Sequence, residues 1–261
     1  MTTMRRHGSQ RGRARLLVAL AIAVLTAAAC TGERPRLATG AEPTTSVDSA
    51  SSTTAAPVLT EVAEAKADAI DVYESAKARV PDRQITAAEA TSAPDIPIVF
   101  LVKGRSGKRL EVYLPVRPNG SSGWVLAKDV SVSTVPYRIE VSLSAHRIRV
   151  FDRDKVIVDE PAGIGRSDRP TPGGVYYLKE LLQPPNPDGV YGTYSYGLSG
   201  YSTLLSSFNA GRGVIGIHGT NDPASIGKDV SSGCISLNNE VIARFVNDIG
   251  LPLGTPVEVL A

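Results

Sequence analysis

From Val135 to Gly165 the chain reads VPYRIEVSLSAHRIRVFDRDKVIVDEPAGIG, and within it RIEVSL, HRIRVF and KVIVDE alternate apolar with polar residues. A period of two with tight connections predicts three successive hairpin strands. Upstream, IPIVFLVKGRSGKRLEVYLPVRP (96–118) and GWVLAKDVSV (123–132) are short apolar runs broken by Gly, Pro and Asn-Gly turns. They predict a small β module ending near Val132. The stretch before them reads two ways. LTEVAEAKADAIDVYESAKARV (59–80) is rich in helix formers and places Val62, Ala65, Ala69, Val72 and Ala76 on one helical face. AIDVYES (69–75) by itself suits a first strand.

Beyond Gly165, Pro-Gly turns and more short strands lead to GVIGIHG (213–219). One convincing helix follows, NNEVIARFVNDIG (238–250), with Val241, Ile242, Phe245, Val246 and Ile249 as its buried stripe. Asn238 or Asn239 can cap it, Glu240 suits its first turn, and Gly250 suits the position just past its end. TPVEVL (255–260) closes as a strand. The expected fold class is mainly β, with a small β module over 58–132 and a second β domain over 137–260 carrying one or two helices.

The N-terminus changes where this protein is expected to work. Arg5, Arg6, Arg11, Arg13 and Arg15 precede the apolar run LLVALAIAVLTAAAC, and no acid occurs before Glu33. Residues 1–29 thus read as a signal peptide, too short and wrongly flanked for a membrane span. AAAC resembles a bacterial lipobox, which makes Cys30 the lipidation site; an ordinary signal peptide cut near Ala29 is the alternative. Residues 31–57 are poor in large apolar side chains and rich in Ser, Thr, Ala and Pro, so they read as a flexible tether running from Cys30. The expected location is the outer face of the cytoplasmic membrane and the cell wall. The five arginines exceed the formal net charge of +2, so the exported part is net acidic. No basic stripe with interleaved aromatics argues for nucleic acid.

A lipidated Cys30 leaves Cys234 as a lone free thiol in a compartment where free thiols are unusual. GRGVIG (211–216) fits a dinucleotide-binding spacing, but it runs into a strand instead of opening a helix. His146 and His218 lack metal-ligand spacing, so no metal is expected. Asp222 and Asp229 read as solvated loop charges. His218 and Cys234 remain. A thiol becomes a useful nucleophile when a neighbouring base takes its proton. A backbone carbonyl beside His218 could fix its tautomer, and Gly233 lets the chain turn sharply enough to present an oxyanion hole. Residue types alone leave catalysis and a buried structural cysteine both open.

The stretch IGIHGTNDPASIGKDVSSGCISLNNEVIARFVNDIGLPLGTPVEV resembles the catalytic core of the L,D-transpeptidases of the YkuD type. PTPGGVYYL (170–178) and YGTYSYGLSGYS (191–202) extend the likeness, and PVRPNGSSGWV (115–125) resembles the SH3-like module that precedes that core. The resemblance implies a YkuD-type β-sandwich over 137–260 with Cys234 as nucleophile and His218 as general base. It further implies that Gly219 orients the histidine through its carbonyl and that the N–H groups of Gly233 and Cys234 bind the oxyanion. Ser232 falls among these orienting positions, and Ser231, Thr220, Ser236 and Tyr201 are candidate substrate contacts. The implied reaction is thioester formation on a peptidoglycan tetrapeptide stem, release of D-Ala and 3→3 cross-linking, without cofactor; carbapenems would acylate the same cysteine. Hydrolysis of the thioester, or a drifted wall-binding protein, are the alternatives. Ser232 stands where most members carry histidine, and Ser236 where they carry Arg or Asn, which removes a partner for a carboxylate.

Overall fold

The computed structural model describes residues 59–93, 95–205 and 212–261. The expected signal peptide, the lipidation site Cys30 and the tether to residue 57 lie outside them. The first half contributes β1 (Thr60–Ala65), β2 (Ala69–Val72), β3 (Arg83–Thr86), a one-turn helix α1 (Ala87–Ala90), β4 (Val99–Ser106), β5 (Arg109–Tyr113), β6 (Ser122–Leu126) and β7 (Val130–Val135). Five of these strands form an antiparallel sheet in the order β6-β5-β4-β1-β7, and β2 pairs with β3.

The helical reading of residues 59–80 is overturned, because this segment supplies β1 and β2. β1 lies between β4 and β7 and is covered on both sides. Ala63 joins Phe100 and Val112 in the module core, while Val62 packs with Val99, Val135 and Leu253. Two hydrogen-bond ladders and burial on both faces outweigh helix propensities that differ by only about a few tenths of a kcal/mol per residue.

The second half is built from β8 (Tyr137–Ser142), β9 (Arg147–Asp152), β10 (Lys155–Pro161), β11 (Ile164–Gly165), β12 (Gly174–Leu182), β13 (Ser195–Tyr201), β14 (Val214–His218), β15 (Asp229–Ser231), β16 (Ile235–Ser236), helix α2 (Asn239–Arg244) and β17 (Pro256–Leu260). Eight strands form one mixed sheet in the order β10-β9-β8-β17-β12-β13-β14-β16. The three alternating segments of the sequence are β8, β9 and β10. Ile139 and Ile148 near one end of this sheet share a single buried cluster with Ile217 and Ile235 at the other. The sheet therefore curls around its core. Ile242 of α2 and Phe245 just beyond it, both fully buried, plug the same cluster. After α2 the chain makes a π turn over Phe245–Ile249, ended by Gly250 in the left-handed region (φ 66°). Asn238 starts α2 through its backbone oxygen, which accepts from the N–H groups of Val241 and Ile242; its side chain makes no cap bond.

Both halves belong to one compact unit. Tyr201 is part of their junction. It is 4% exposed, its hydroxyl donates to Pro115 O, and its backbone exchanges hydrogen bonds with the Asn119 side chain at 2.9 and 2.8 Å. Arg117 stacks on its ring and donates to Ser202 O at 2.7 Å. The assignment of Tyr201 as a substrate contact is thereby corrected, because the loop after β5 covers it. Tyr201→Phe strands the buried Pro115 carbonyl and should lower the unfolding free energy by about 1–2 kcal/mol, read from urea denaturation; an unchanged midpoint would refute that contribution.

Candidate active site

β14 ends on His218, and β16 starts one residue after Cys234. The two strands pair in parallel, with Ile217 opposite Ile235 and His218 opposite Ser236. This register brings Cys234 next to Gly216, whose backbone hydrogen-bonds its sulfur. Parallel strands need a crossover, and residues 219–234 supply it. His218 and Cys234 thus meet at one end of the sheet, where both line two adjoining cavities of about 390 and 420 Å³. Tyr191 is the third residue common to both, its ring set edge-on to the imidazole at 5.0 Å between centroids.

His218 is 7% exposed, and its Nδ1 lies 2.5 Å from Gly219 O. A carbonyl oxygen only accepts, so Nδ1 carries the proton and Nε2 keeps the lone pair. Burial holds the imidazole below its ordinary pKa, partly offset by the Gly219 carbonyl. Burial also pushes the Cys234 thiol up, partly offset by Gly216. Both shifts favour the uncharged forms, so the resting pair at neutral pH is thiol and neutral imidazole.

The loop carrying Cys234 is pinned residue by residue. β15 pairs in parallel with β11, and Ser236 exchanges two backbone bonds with Gly163. The Ser231 hydroxyl donates to Cys234 O at 2.7 Å and accepts from Gly233 N–H at 3.1 Å, closing the turn from inside. The Gly233 N–H, expected to face an oxyanion, is therefore engaged within the loop. Gly233 itself adopts φ 114°, open to glycine alone at little strain. Ser232 Oγ accepts from Arg169 at 3.4 Å, which places a guanidinium beside this serine. Thr220, Ser231, Ser232 and Ser236 all line the larger cavity.

The sequence offers Asn238 or Asn239 as the helix cap, but the side chain of Asn239 serves the site. Asn239 Oδ1 accepts from Thr220 N–H at 3.2 Å and lies where a Cβ on Gly219 or on Gly192 would fall, at 2.1 and 2.0 Å. Glycine after His218 is thus required by the asparagine packed against it. Tyr191 was also missed, although YGTYSYGLSGYS contains it. The stretch carries alternating aromatics, and only the fold tells that Tyr191 reaches His218 while Tyr201 reaches the other half. His146 pairs with Asp229 at 2.7 Å, on the surface and outside both cavities. Among the described residues no cluster of His, Cys, Asp or Glu could hold a metal ion.

The family model of the L,D-transpeptidase catalytic domain, YkuD, matches residues 136–259. A Bacillus licheniformis protein named as a candidate L,D-transpeptidase, YkuD, is 36% identical over 126 residues, which are 48% of this chain and 67% of that one. Bacillus subtilis YqjB, named in the same way, is 32% identical over 132 residues, 47% of this chain and 69% of its own. Among solved structures, Bdellovibrio bacteriovorus Bd1075 is similar at 27% identity and TM-score 0.39, covering 48% of each chain. Mycobacterium tuberculosis L,D-transpeptidase 1 gives 24% identity and TM-score 0.35 over 54% of this chain and 78% of that one. On the sequence matches, the chain belongs to the L,D-transpeptidase family.

The shifts in the pair fix a pH profile. A raised thiol pKa leaves little thiolate at neutral pH, so alkylation of Cys234 by iodoacetamide should accelerate as pH rises through a midpoint above that of a free cysteine. A fast plateau reaching down to neutral pH would instead reveal a preformed thiolate–imidazolium pair.

Proposed function

We propose that this protein is a peptidoglycan L,D-transpeptidase acting through a Cys234 thioester. The observation that carries the reading is the meeting of Cys234 with a histidine whose Nδ1 is held on Gly219 O at 2.5 Å, leaving Nε2 as a base. The Cys234 sulfur attacks the carbonyl of the third residue of a tetrapeptide stem, and Nε2 takes its proton. The Cys234 N–H stabilises the oxyanion, with the Gly233 N–H joining once it leaves Ser231 Oγ. Collapse breaks the bond to the terminal D-Ala, whose nitrogen takes the proton from His218. An amine of a neighbouring stem then attacks the thioester, passing its proton through His218, and the thiol is restored as the 3→3 cross-link forms. Water in place of the amine would make the same site an L,D-carboxypeptidase.

The two cavities meeting at Cys234 leave room for two peptide chains. Ser236 supplies no cation of its own; Arg169, bonded to Ser232 beside the larger cavity but not part of its lining, and Arg212, in the lining of the smaller one, are the guanidinium groups available for a substrate carboxylate. The Arg-rich, apolar, Cys30-ending N-terminus supports a lipid-anchored location at the outer face of the membrane.

Wild-type protein incubated with a carbapenem should gain one drug mass, and with a synthetic tetrapeptide stem it should release D-Ala. Cys234→Ala should lose both; a surviving adduct or D-Ala release would refute the assigned nucleophile, and no adduct on the parent would favour a drifted binding protein. For the anchor, Cys30→Ser should move the protein from the membrane to the soluble fraction, and unchanged partitioning would refute lipidation at Cys30.

A further inference from the structure

The smaller cavity at Cys234 is not walled by the second half alone. Ala88, Thr91 and Ser92, from α1 and the residues after it, line it opposite Gly216, His218 and Cys234. Their position is held by an unusual device. β12 shifts register against β13 between Leu178 and Glu180, a β-bulge at Lys179. In a regular strand Lys179 and Glu180 would point to opposite faces; the bulge lets both reach the same neighbouring segment. Lys179 Nζ donates to Ala90 O at 2.7 Å, and Glu180 accepts from Ser92 N–H at 2.6 Å and from Ser92 Oγ at 3.1 Å. The two side chains also pair with each other at 2.8 Å, each only 2% exposed.

Glu180 is tightly packed against the neighbouring strand. Gly197 faces Glu180 across the ladder, and a Cβ there would come within 2.4 Å of Oε1. Arg212 adds a third grip, donating to Thr91 O at 3.2 Å from the rim of the same cavity. A buried ion pair is poor value as a stabiliser, since desolvation cancels much of its attraction. Its worth lies in fixing geometry. Here every bond that the pair makes outside itself fixes the segment from Ala90 to Ser92.

We propose that the N-terminal β module is a working part of the active site: its segment 88–92 forms one wall of the passage to Cys234, and Lys179 and Glu180 are positioning residues that hold this wall. The module is then neither a spacer nor an independent binding unit. This rests on the transpeptidase reading for its substrate, and its test separates the two.

Ala88 is exposed on the cavity side, so Ala88→Trp narrows the passage without touching the core. With the full-length protein and a synthetic tetrapeptide stem, it should raise KM about tenfold and leave kcat within about twofold. Lys179→Met/Glu180→Gln removes both charges together at similar volume, which avoids stranding one buried ion. It should raise KM likewise and speed hydrogen exchange in residues 87–93 above all. An unchanged KM in Ala88→Trp, or a double variant with neither change, would overturn the proposal. If the parent releases no D-Ala, the transpeptidase reading fails alone, and alkylation of Cys234 decides the wall. Ala88→Trp should then slow N-pyrenylmaleimide about tenfold while iodoacetamide reacts within about twofold of its parental rate. Equal slowing, or none, would overturn it.

Discussion

The parallel pairing of two short strands, Ile217 against Ile235 and His218 against Ser236, is the contact on which the active centre depends. β14 is also held by β13, but β16 could not hold its place alone, since it has only two residues. It stays because Gly163 brackets Ser236 from the other side, and because Ser231 closes the turn before it. Cys234 is thus presented by a rigid scaffold and not by a loose loop. Preorganisation of this kind matters for the proposed reaction, because a thiol that burial keeps protonated needs its base already in place.

The same logic explains why the site tolerates so few side chains at its edges. Gly192, Gly219 and Asn239 occupy a space that holds one amide oxygen and two bare α-carbons. The amide ties the start of α2 to the loop after His218, so the helix that plugs the core also fixes the backbone beside that histidine. Core packing and the candidate site share these residues.

Much of this was legible in the sequence, and for identifiable reasons. Period-two alternation located β8, β9 and β10 because each has one covered and one open face. The helix after Cys234 announced itself through its stripe and Gly250, and the family likeness pointed at His218 and Cys234 together. The failures share a cause. β1 gives no clean strand signal because apolar side chains cover both its faces, with Ala63 in the module core and Val62 against Val99, Val135 and Leu253, and this erases the alternation. Tyr201 and Tyr191 sit at opposite ends of one aromatic stretch, and nothing local says which faces the imidazole. Lys179 and Glu180 look like two surface charges; their burial follows from a bulge and from a segment almost ninety positions earlier. Contacts made across long separations leave no periodic trace.

The place of β17 carries a consequence for how the molecule comes into being. The strands before it form two separate meanders, β8-β9-β10 and β12-β13-β14, which share no direct ladder; β17 lies between them, pairing Val257 with Ile139 on one side and with Tyr176 on the other. The last strand in chain order is therefore the seam of the whole sheet. Such a topology folds slowly, because its central contact spans nearly the entire second half. The barrel-like core cannot shut until β17 is in place, and until then both meanders expose raw edges. Loss of β17 therefore leaves an open sheet, not a slightly weakened fold.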